Sequence, residues 1–256
     1  NAKARESGES LATRAGEPPQ ALELDVTDDA SVERAVQDVI ARSGRIDVLI
    51  NNAGFSYIGL NEAHTVEDLQ RQFDTNFFGV ARMNRAVLPH MRKQARGLLI
   101  YMSSGGGRTI LPFLGAYSAS KFALEALAES YHYQLYSLGI DTVILQPGAH
   151  ATPVASNSRS PSEADRNAGY GAVAAQFDQV IPNFLAFFAD GAAPAPKAVI
   201  DAVMTVLALP TGTRPLRIPI GARGVEEINR ASAQAQTAML ERLGLTGLLQ
   251  RPAKTP

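Results

Sequence analysis

The sequence predicts an α/β fold in which a doubly wound parallel sheet is flanked by helices, in a single domain over residues 1–256. Two observations predict it. Short apolar runs alternate with longer helical patterns, and clusters of polar residues or glycine follow directly after the apolar runs. Alternating strands and helices are typical of parallel sheets, which bind ligands beyond the carboxyl ends of their strands. We therefore expect the functional residues at those ends.

The first half of the chain begins with a short strand and a helix. An apolar alternation predicts a strand at 22–24, and "SVERAVQDVIARSG" predicts a helix that ends at Gly44. The run "RIDVLI" at 45–50 predicts a second strand, which leads into "NNAG". Apolar residues at mixed spacings of three and four then predict a long helix over 65–96, with a break near Gly79 or Pro89.

Three further strands are predicted in the second half. The run "GLLIYMSS" at 97–104 has consecutive apolar residues, as expected of a strand that is covered on both faces. Residues 116–138 follow as a helix that ends in "LGI". "DTVILQPG" at 141–148 and "RPLRIPIG" at 214–221 are the remaining strands.

Composition narrows the class of protein. The chain is 45% hydrophobic and 19% charged, has a formal net charge of −1, and contains no cysteine. This balance leaves no basic excess for nucleic acid or anionic lipid, and it excludes disulfides and thiolate nucleophiles. No apolar stretch approaches the length of a membrane span, and the polar start is unlike a signal peptide. We expect a cytoplasmic protein with neither nucleic-acid nor membrane partners.

Residues 153–196 differ in composition from the rest and read as an inserted lid. The segment opens rich in Ser, Asn and Gly and becomes apolar and aromatic before helical patterning resumes at Lys197. Its apolar side chains are expected either to wall a pocket for a hydrophobic alcohol or ketone, or to pack a helix onto the body of the protein. These side chains are Phe177, Val180, Ile181, Phe184, Phe187 and Phe188.

The chemistry centres on Tyr117 and Lys121, which are four residues apart and so share one face of a helix. A neighbouring ammonium favours the phenolate and lowers the pKa of a tyrosine toward the working range. Ser104 lies at a predicted strand end 13 residues earlier, where the intervening loop can bring the two hydroxyls together. Taken alone the pair is a weak motif, and a surface lysine beside a half-buried tyrosine is the alternative.

Further motifs accompany this pair in a fixed order, and together they carry a resemblance. They are "LDVTD" at 24–28, "NNAG" at 51–54, Asn76 in "DTNFFG", and "PGAHAT" at 147–152. With Ser104, Tyr117 and Lys121 they resemble the short-chain dehydrogenase/reductase family, in its hydroxysteroid and retinol dehydrogenase branch, over essentially the whole chain. The resemblance implies a Rossmann-type fold and hydride transfer between a nicotinamide and an alcohol or carbonyl.

The resemblance also implies a role for each matching residue. Tyr117 is the general acid/base, Lys121 lowers its pKa and binds the nicotinamide ribose, Ser104 holds the substrate oxygen, and Asn76 helps to hold a proton-relaying water. The implied cofactor contacts are Asp25 and Val26 for adenine, Asn51, Ala53 and Gly54 beside the cofactor, and Pro147, Gly148 and Thr152 around the nicotinamide. The triple glycine after Ser104 is expected to form a flexible turn rather than a phosphate cradle.

One part of the family pattern is absent from the sequence. No Thr-Gly-x-x-x-Gly-x-Gly turn precedes "LDVTD". We therefore expect a longer natural protein whose first strand, glycine turn, helix and second strand lie before this sequence, with loss of function as the alternative. The choice between nucleotides would lie in that part, so NADP(H) is favoured by resemblance only and NAD(H) remains an alternative.

Several secondary expectations complete the analysis. The four histidines (64, 90, 132 and 150) lack metal-ligand spacing, so we expect no metal site. His150 is expected to face solvent, with a substrate contact as the alternative. The apolar faces of the helices at 65–96 and 116–138 exceed what one sheet face covers, and the resemblance implies that they pair in a homodimer or homotetramer. Burial within one monomer is the alternative. A non-catalytic dinucleotide-binding scaffold is the main alternative function. An epimerase or dehydratase is disfavoured because no separate substrate domain follows.

Overall fold

The computed structural model describes residues 20–152, 157–189 and 193–251, and a parallel sheet in the order β1-β2-β3-β4 runs through them. The strands are β1 (Val48–Asn51), β2 (Gly97–Met102), β3 (Ile140–Pro147) and β4 (Arg217–Ile220). The helices are α1 (Asp29–Ser43), α2 (Val66–Phe73), α3 (Gly79–Gln94), α4 (Gly115–Leu135), α5 (Ala172–Ala189), α6 (Lys197–Ala208) and α7 (Val225–Arg242).

Both faces of the sheet are covered, which confirms the predicted doubly wound arrangement. Leu99 and Tyr101 on β2 join a core with side chains from α1, α3 and α4. The alternate residues Leu98 and Ile100 join a second core, to which α6 contributes Val206. Successive side chains of a strand point to opposite faces, so the consecutive apolar run in β2 serves both cores.

Local signals define the helix ends that the sequence predicted. Asp28 caps α1 by accepting a hydrogen bond from the Ala30 amide, and Gly44 ends the helix with a φ of 71°. Thr65 and Asp68 form a reciprocal capping box at the start of α2. These short-range contacts explain why the helix boundaries agree with prediction within a few residues.

The strand predicted at 22–24 is wrong. These residues form no ladder, and Leu24 is 42% exposed. β1 is the edge strand of the described sheet, and its Ile50 is also 42% exposed. A three-residue apolar alternation cannot become a strand without a partner that supplies hydrogen bonds to its backbone.

The long helix predicted over 65–96 is divided, although not by proline. A π-helical segment at Asp74–Phe78 separates α2 from α3, directly before Gly79. Pro89 lies inside α3 without ending it. A π segment inserts an extra residue into a turn and re-aims the side chains on it, and such segments occur frequently at functional sites.

The predicted lid contains more regular structure than its composition suggested. In its described part, a short 3-10 segment at Ala164–Tyr170 precedes α5, which lies within the predicted bounds. Residues 158–163 bond to the body: the Ile58 amide donates to the Arg159 carbonyl at 3.0 Å, and Asp68 accepts from the Ser162 amide and hydroxyl. Residues 153–156 and 190–192 lie outside the described residues.

A buried ionic cluster fastens β3 to the end of the described chain. Asp141 accepts hydrogen bonds from Arg214 at 2.6 Å, from Arg251, and from the Gly212 amide at 2.9 Å. The Arg251 guanidinium also lies 4.5 Å from the ring centre of Tyr136. Removing one member of a buried ion pair leaves the other charges uncompensated.

The Asp141→Asn variant is therefore expected to lose about 3 kcal/mol in the free energy of unfolding. Urea denaturation followed by circular dichroism measures this loss. Asp201→Asn is the matched control, because Asp201 pairs with Lys197 on the exposed face of α6 and should change stability by less than about 1 kcal/mol. Equal losses in the two variants would contradict a structural role for the Asp141 cluster.

Among the described residues, no helix combines the length and apolar character that crossing a membrane requires.

Candidate active site

A cavity of about 1050 Å³ opens at the carboxyl ends of the strands. It brings together seven of the predicted catalytic and cofactor-binding residues. They are Gly54, Ser104, Tyr117, Lys121, Pro147, Gly148 and Thr152. The loops after β1, β2 and β3 and the start of α4 supply them, which is the position expected for a ligand site in a parallel sheet.

Other predicted residues lie in a smaller groove of about 150 Å³ along β1. Val26, Asn51 and Ala53 line this groove, and Ile50 and Asn52 line both the groove and the large cavity. Asn51 turns its side chain toward α3, where it donates to Asn84 at 3.2 Å. Asp25 lines neither space, and its carboxylate accepts hydrogen bonds from the Thr27 amide and hydroxyl.

Ser104 is fixed by the glycine turn that follows it. Its hydroxyl accepts a hydrogen bond from the Gly106 amide at 3.0 Å. The turn expected from the sequence is present as a buried 3-10 turn at Gly105–Gly107, and its flexibility stays a prediction. A Cβ on Gly107 would lie 2.7 Å from the Ser103 hydroxyl, and one on Gly105 would lie 3.0 Å from Ala222. Close packing, rather than flexibility, requires glycine here.

Tyr117 and Lys121 lie on consecutive turns of α4, with the ammonium 5.7 Å from the ring centre. Burial raises the pKa of Tyr117, and the nearby Ser104 hydroxyl opposes that rise. The sequence-based expectation was a lowered pKa, but in this cavity the loss of solvent outweighs the neighbouring groups. The Tyr117 phenol therefore holds its proton at neutral pH.

Lys121 is only 5% exposed, and burial lowers its pKa to about 8. Its ammonium donates to the Met102 carbonyl at 2.8 Å. The ammonium donates no second hydrogen bond among the described residues, although it has three donors, and Lys121 lines the cavity. Lys121 is thus a buried cation with spare donors, which suits a ligand that carries hydroxyl groups.

Asn76 owes its position to the π segment between α2 and α3. Its side chain accepts from the Phe55 amide and donates to the Phe55 carbonyl and to Ser120, at 3.0–3.1 Å. A Cβ on Gly54 would lie 3.1 Å from the Asn76 oxygen and 3.7 Å from the Lys121 nitrogen. Asn76 therefore fastens the loop after β1 against α4, immediately beside Lys121.

The structure corrects the expectation that His150 faces solvent. His150 is 6% exposed, lines the large cavity, and its Nδ1 lies 3.1 Å from the Gly148 carbonyl oxygen. Phe55 is a second cavity residue that sequence reasoning missed, and the Arg159 guanidinium lies 4.3 Å from its ring centre. For His150 the sequence offered a signal of its place in the cavity, because it lies in "PGAHAT" between the predicted cofactor contacts Gly148 and Thr152.

The remaining cavity wall is mainly apolar. Side chains from the loops and from α5 and α6 contribute to it, namely Ile58, Leu111, Leu114, Phe184, Val199, Ile200 and Val203. Of the lid residues named from sequence, Phe184 lines the cavity, whereas Phe177 packs edge-on against Phe113. Val180 and Phe187 are exposed, and the Phe188 side chain lies outside the described residues. One of these side chains thus contributes to the cavity wall and another packs against the body of the protein, and the lid itself stays a prediction.

This arrangement can do acid–base chemistry on a substrate oxygen in an apolar space. A protonated phenol, a fixed serine hydroxyl and a buried ammonium share one cavity wall. Among the described residues, no group of three or more His, Asp or Glu side chains could hold a metal ion.

Comparison with known proteins shows the family of the chain. The family model described as "short chain dehydrogenase" matches residues 1–163, more than half of the chain. The chain is similar to 3-ketodihydrosphingosine reductase of Bacteroides thetaiotaomicron, at 43% identity over 58% of this chain and 55% of that protein. It is also similar to human retinol dehydrogenase 8, at 33% identity over 82% of this chain and 64% of that protein. The chain spans about half the length of the curated relatives it matches.

Solved structures show the same likeness. A short-chain dehydrogenase from Streptomyces avermitilis superposes with a TM-score of 0.71 at 30% identity, over 93% of this chain and 84% of that one. ElxO with NADP bound superposes with a TM-score of 0.55 at 28% identity, over 57% and 60% of the two chains. NAD+-bound xylitol dehydrogenase gives 0.56 at 27% identity, over 59% of each chain. With its fold, strand-end cavity and matching family model, this chain belongs to the short chain dehydrogenase family.

Proposed function

We propose that this protein is an NAD(P)-dependent oxidoreductase that transfers a hydride between the nicotinamide and an apolar substrate. The substrate is a secondary alcohol or the corresponding ketone, or else an aldehyde. One observation carries the proposal: Ser104, Tyr117 and Lys121 line a single cavity at the carboxyl ends of the strands. The bound nicotinamide would supply the hydride chemistry, and the protein supplies position and protons.

The residues present fit a nicotinamide nucleotide. The buried Lys121 ammonium makes one hydrogen bond among the described residues, which leaves donors for ribose hydroxyls, and glycine at position 54 lets the loop backbone approach Asn76 and that ammonium closely. At about 1050 Å³ the cavity is at the upper end of the range for small-molecule sites, which gives room for part of a nucleotide together with a substrate. Pro147, Gly148 and Thr152 would border the nicotinamide, and Val26, Asn51 and Ala53 in the β1 groove would lie toward the adenosine end.

Each residue then has a defined task. Ser104, whose hydroxyl is oriented by the Gly106 amide, donates a hydrogen bond to the substrate oxygen. Tyr117 delivers the proton to that oxygen during reduction and removes it during oxidation. Lys121 places a positive charge beside the phenol and thereby stabilises the phenolate left after proton transfer. Asn76 holds the loop after β1 in place and, in this proposal, helps to hold a water that returns a proton through Lys121.

The apolar cavity wall supports a substrate with a hydrocarbon portion. Contact with Phe184, Val203 and the other apolar side chains would replace water and favour binding by roughly 25 cal/mol per Å² of buried apolar surface. Two relatives carry names that concern a sphingoid ketone and retinol. We include in the proposal that the described part of 153–196 acts as the substrate lid.

The proposal also includes the choice of nucleotide and the oligomeric state. NADP(H) is favoured over NAD(H), although relatives of known structure hold either nucleotide. Self-association as a homodimer or homotetramer is supported by apolar side chains that remain exposed on the helices named from sequence, among them Leu69 on α2 and Phe122 on α4.

Thermal unfolding with and without nucleotide tests the proposal first. Saturating NADPH or NADH, at about a hundred times its dissociation constant, is expected to add about 2.7 kcal/mol to stability. For a protein of this size the unfolding midpoint should rise by roughly 5–10 °C. A panel of long-chain ketones and alcohols then identifies turnover by nucleotide absorbance.

Matched glycine variants give the control for this experiment. Gly54→Val places side-chain atoms against Asn76 and the Lys121 ammonium and should abolish the nucleotide-dependent shift. Gly247→Ala should retain it, because an added Cβ there meets no atom within 4 Å. If neither nucleotide stabilises the folded protein, the oxidoreductase proposal fails and a scaffolding role takes its place.

A further inference from the structure

A buried network of charged and amide side chains lies beside the active site and has no task in the proposed reaction. Glu125 is 2% exposed and follows Lys121 by one turn of α4. Its carboxylate accepts hydrogen bonds from Gln146 and from Arg217, both at 2.8 Å. Arg217 also donates to Glu129 at 2.7 Å. The Glu125 carboxylate is therefore both buried and fixed in position by two hydrogen bonds.

The network joins α4 to β3 and β4, two strands next to the active site. Gln146 directly precedes Pro147 on β3, and its side chain also accepts from Asn229 on α7 at 2.7 Å. Arg217 is the first residue of β4. Arg108 follows the glycine turn after Ser104 and interacts electrostatically with Glu125 and Glu129. We therefore expect a substitution at Glu125 to displace the neighbouring active-site groups.

Stability alone is a weak reason for such a network. Replacing a buried ion pair by apolar side chains of similar volume is often neutral or stabilising, because two charges must be taken out of water. The carboxylate of Glu125 lies on the same helix face as Lys121, where i and i+4 side chains are neighbours. Its Cγ and the Lys121 Cβ would both lie 3.3 Å from a Cβ placed on Gly107.

The charges around Lys121 make Glu125 distinctive. Burial lowers the pKa of Lys121 because it disfavours the charged ammonium, and the negative charge of Glu125 acts in the opposite direction. From the other packed elements, the charged groups Arg108 and Arg217 are cations, and the Tyr117 phenol is neutral at pH 7. Glu129 is two turns away from Lys121, a rise of about 12 Å along the helix.

We propose that Glu125 is a positioning residue of this site, whose carboxylate, held by Gln146 and Arg217, keeps the buried Lys121 ammonium charged at neutral pH. Its consequence for turnover rests on the proposed function, whereas the coupling of the two side chains does not. The two are therefore tested by separate measurements.

Direct titration of Lys121 in the purified, nucleotide-free protein tests the coupling. The sequence contains five lysines, so the Cε resonance of Lys121 can be assigned by its loss in Lys121→Met. In Glu125→Gln, which keeps the shape and one acceptor, the titration midpoint of Lys121 should fall by about one pH unit. Glu129→Gln is the matched control: it removes the same charge from the same arginine and should move the midpoint by less than about 0.3 units.

Turnover gives the second measurement. The kcat/KM value reports groups of the free enzyme. With the midpoint lowered from about 8 to about 7, kcat/KM in Glu125→Gln should fall roughly fivefold at pH 8 and hardly at pH 6. A role in folding alone would lower kcat/KM equally at both values.

The outcomes separate the two proposals. An unchanged Lys121 midpoint in Glu125→Gln, or equal shifts in the two glutamine variants, overturns the inference whether or not turnover exists. A lowered midpoint in a protein that turns over no substrate supports the inference and contradicts the proposed function. If Glu125→Gln fails to fold, the double variant Glu125→Gln/Arg217→Gln removes both members of that ion pair, while Glu129 keeps its hydrogen bond from Tyr133. The Lys121 midpoint is expected to fall there too, by less than in Glu125→Gln because a cation is lost as well. A midpoint that is unchanged or raised overturns the inference.

Discussion

Tyr117→Phe is expected to lower kcat by about 10²–10⁴-fold while the nucleotide still binds. The substitution keeps the ring and removes the hydroxyl that would exchange a proton with the substrate oxygen. Burial raises the pKa of Tyr117, so the phenol is protonated at neutral pH and begins a reduction as the donor. Steady-state kinetics with the identified carbonyl substrate measure the loss. The nucleotide-dependent rise in the unfolding midpoint measures binding.

Tyr136→Phe is the control for this variant. The Tyr136 hydroxyl donates a hydrogen bond to the Gly212 carbonyl at 2.9 Å. Tyr136 is not among the residues that line the large cavity. We expect near-normal turnover from Tyr136→Phe. Retained turnover in Tyr117→Phe would contradict the proton-transfer mechanism, and loss of the nucleotide-dependent shift would mean that the hydroxyl serves binding instead.

Lys121→Met is expected to abolish most turnover and also to change how stability depends on pH. Burial lowers the pKa of Lys121 from 10.5 to about 8 in the folded protein. Between these values the unfolded chain binds more protons than the folded one, so this group makes stability rise with pH. Below pH 8 the buried, charged Lys121 lowers the free energy of unfolding by its full amount. This loss of stability disappears as the pH rises toward 10.5. The rise across this window amounts to about 3 kcal/mol at most.

Urea denaturation at several pH values between 7 and 10.5 measures this dependence. Lys121→Met should lack the rise that the unaltered protein shows. Lys197→Met should retain it, because Lys197 is exposed and pairs with Asp201 on the surface of α6. Parallel curves for the unaltered protein and Lys121→Met would contradict burial of a charged lysine at this position.

The sequence was sufficient for features that depend on neighbours along the chain. Apolar periodicity predicted α1, α4 and the strands β1 to β4, because hydrogen bonding and side-chain direction within an element follow from local spacing. The four-residue spacing of Tyr117 and Lys121 placed them on one face of α4 before any contact was known. Polar residues at strand ends predicted the edge of the sheet at which the cavity opens.

Features that depend on partners distant in the chain were decided only by the tertiary structure. Residues 22–24 have strand-like alternation but pair with no strand in the described part of the chain, and His150 is buried with its Nδ1 beside the Gly148 carbonyl. The π segment that positions Asn76 is fixed by hydrogen bonds to Phe55 and Ser120, which are 21 and 44 residues away in sequence. The same holds for electrostatics. The spacing of Tyr117 and Lys121 suggested a lowered tyrosine pKa, whereas burial raises it, since the solvent that remains around a group is set by the whole fold rather than by its neighbours in sequence.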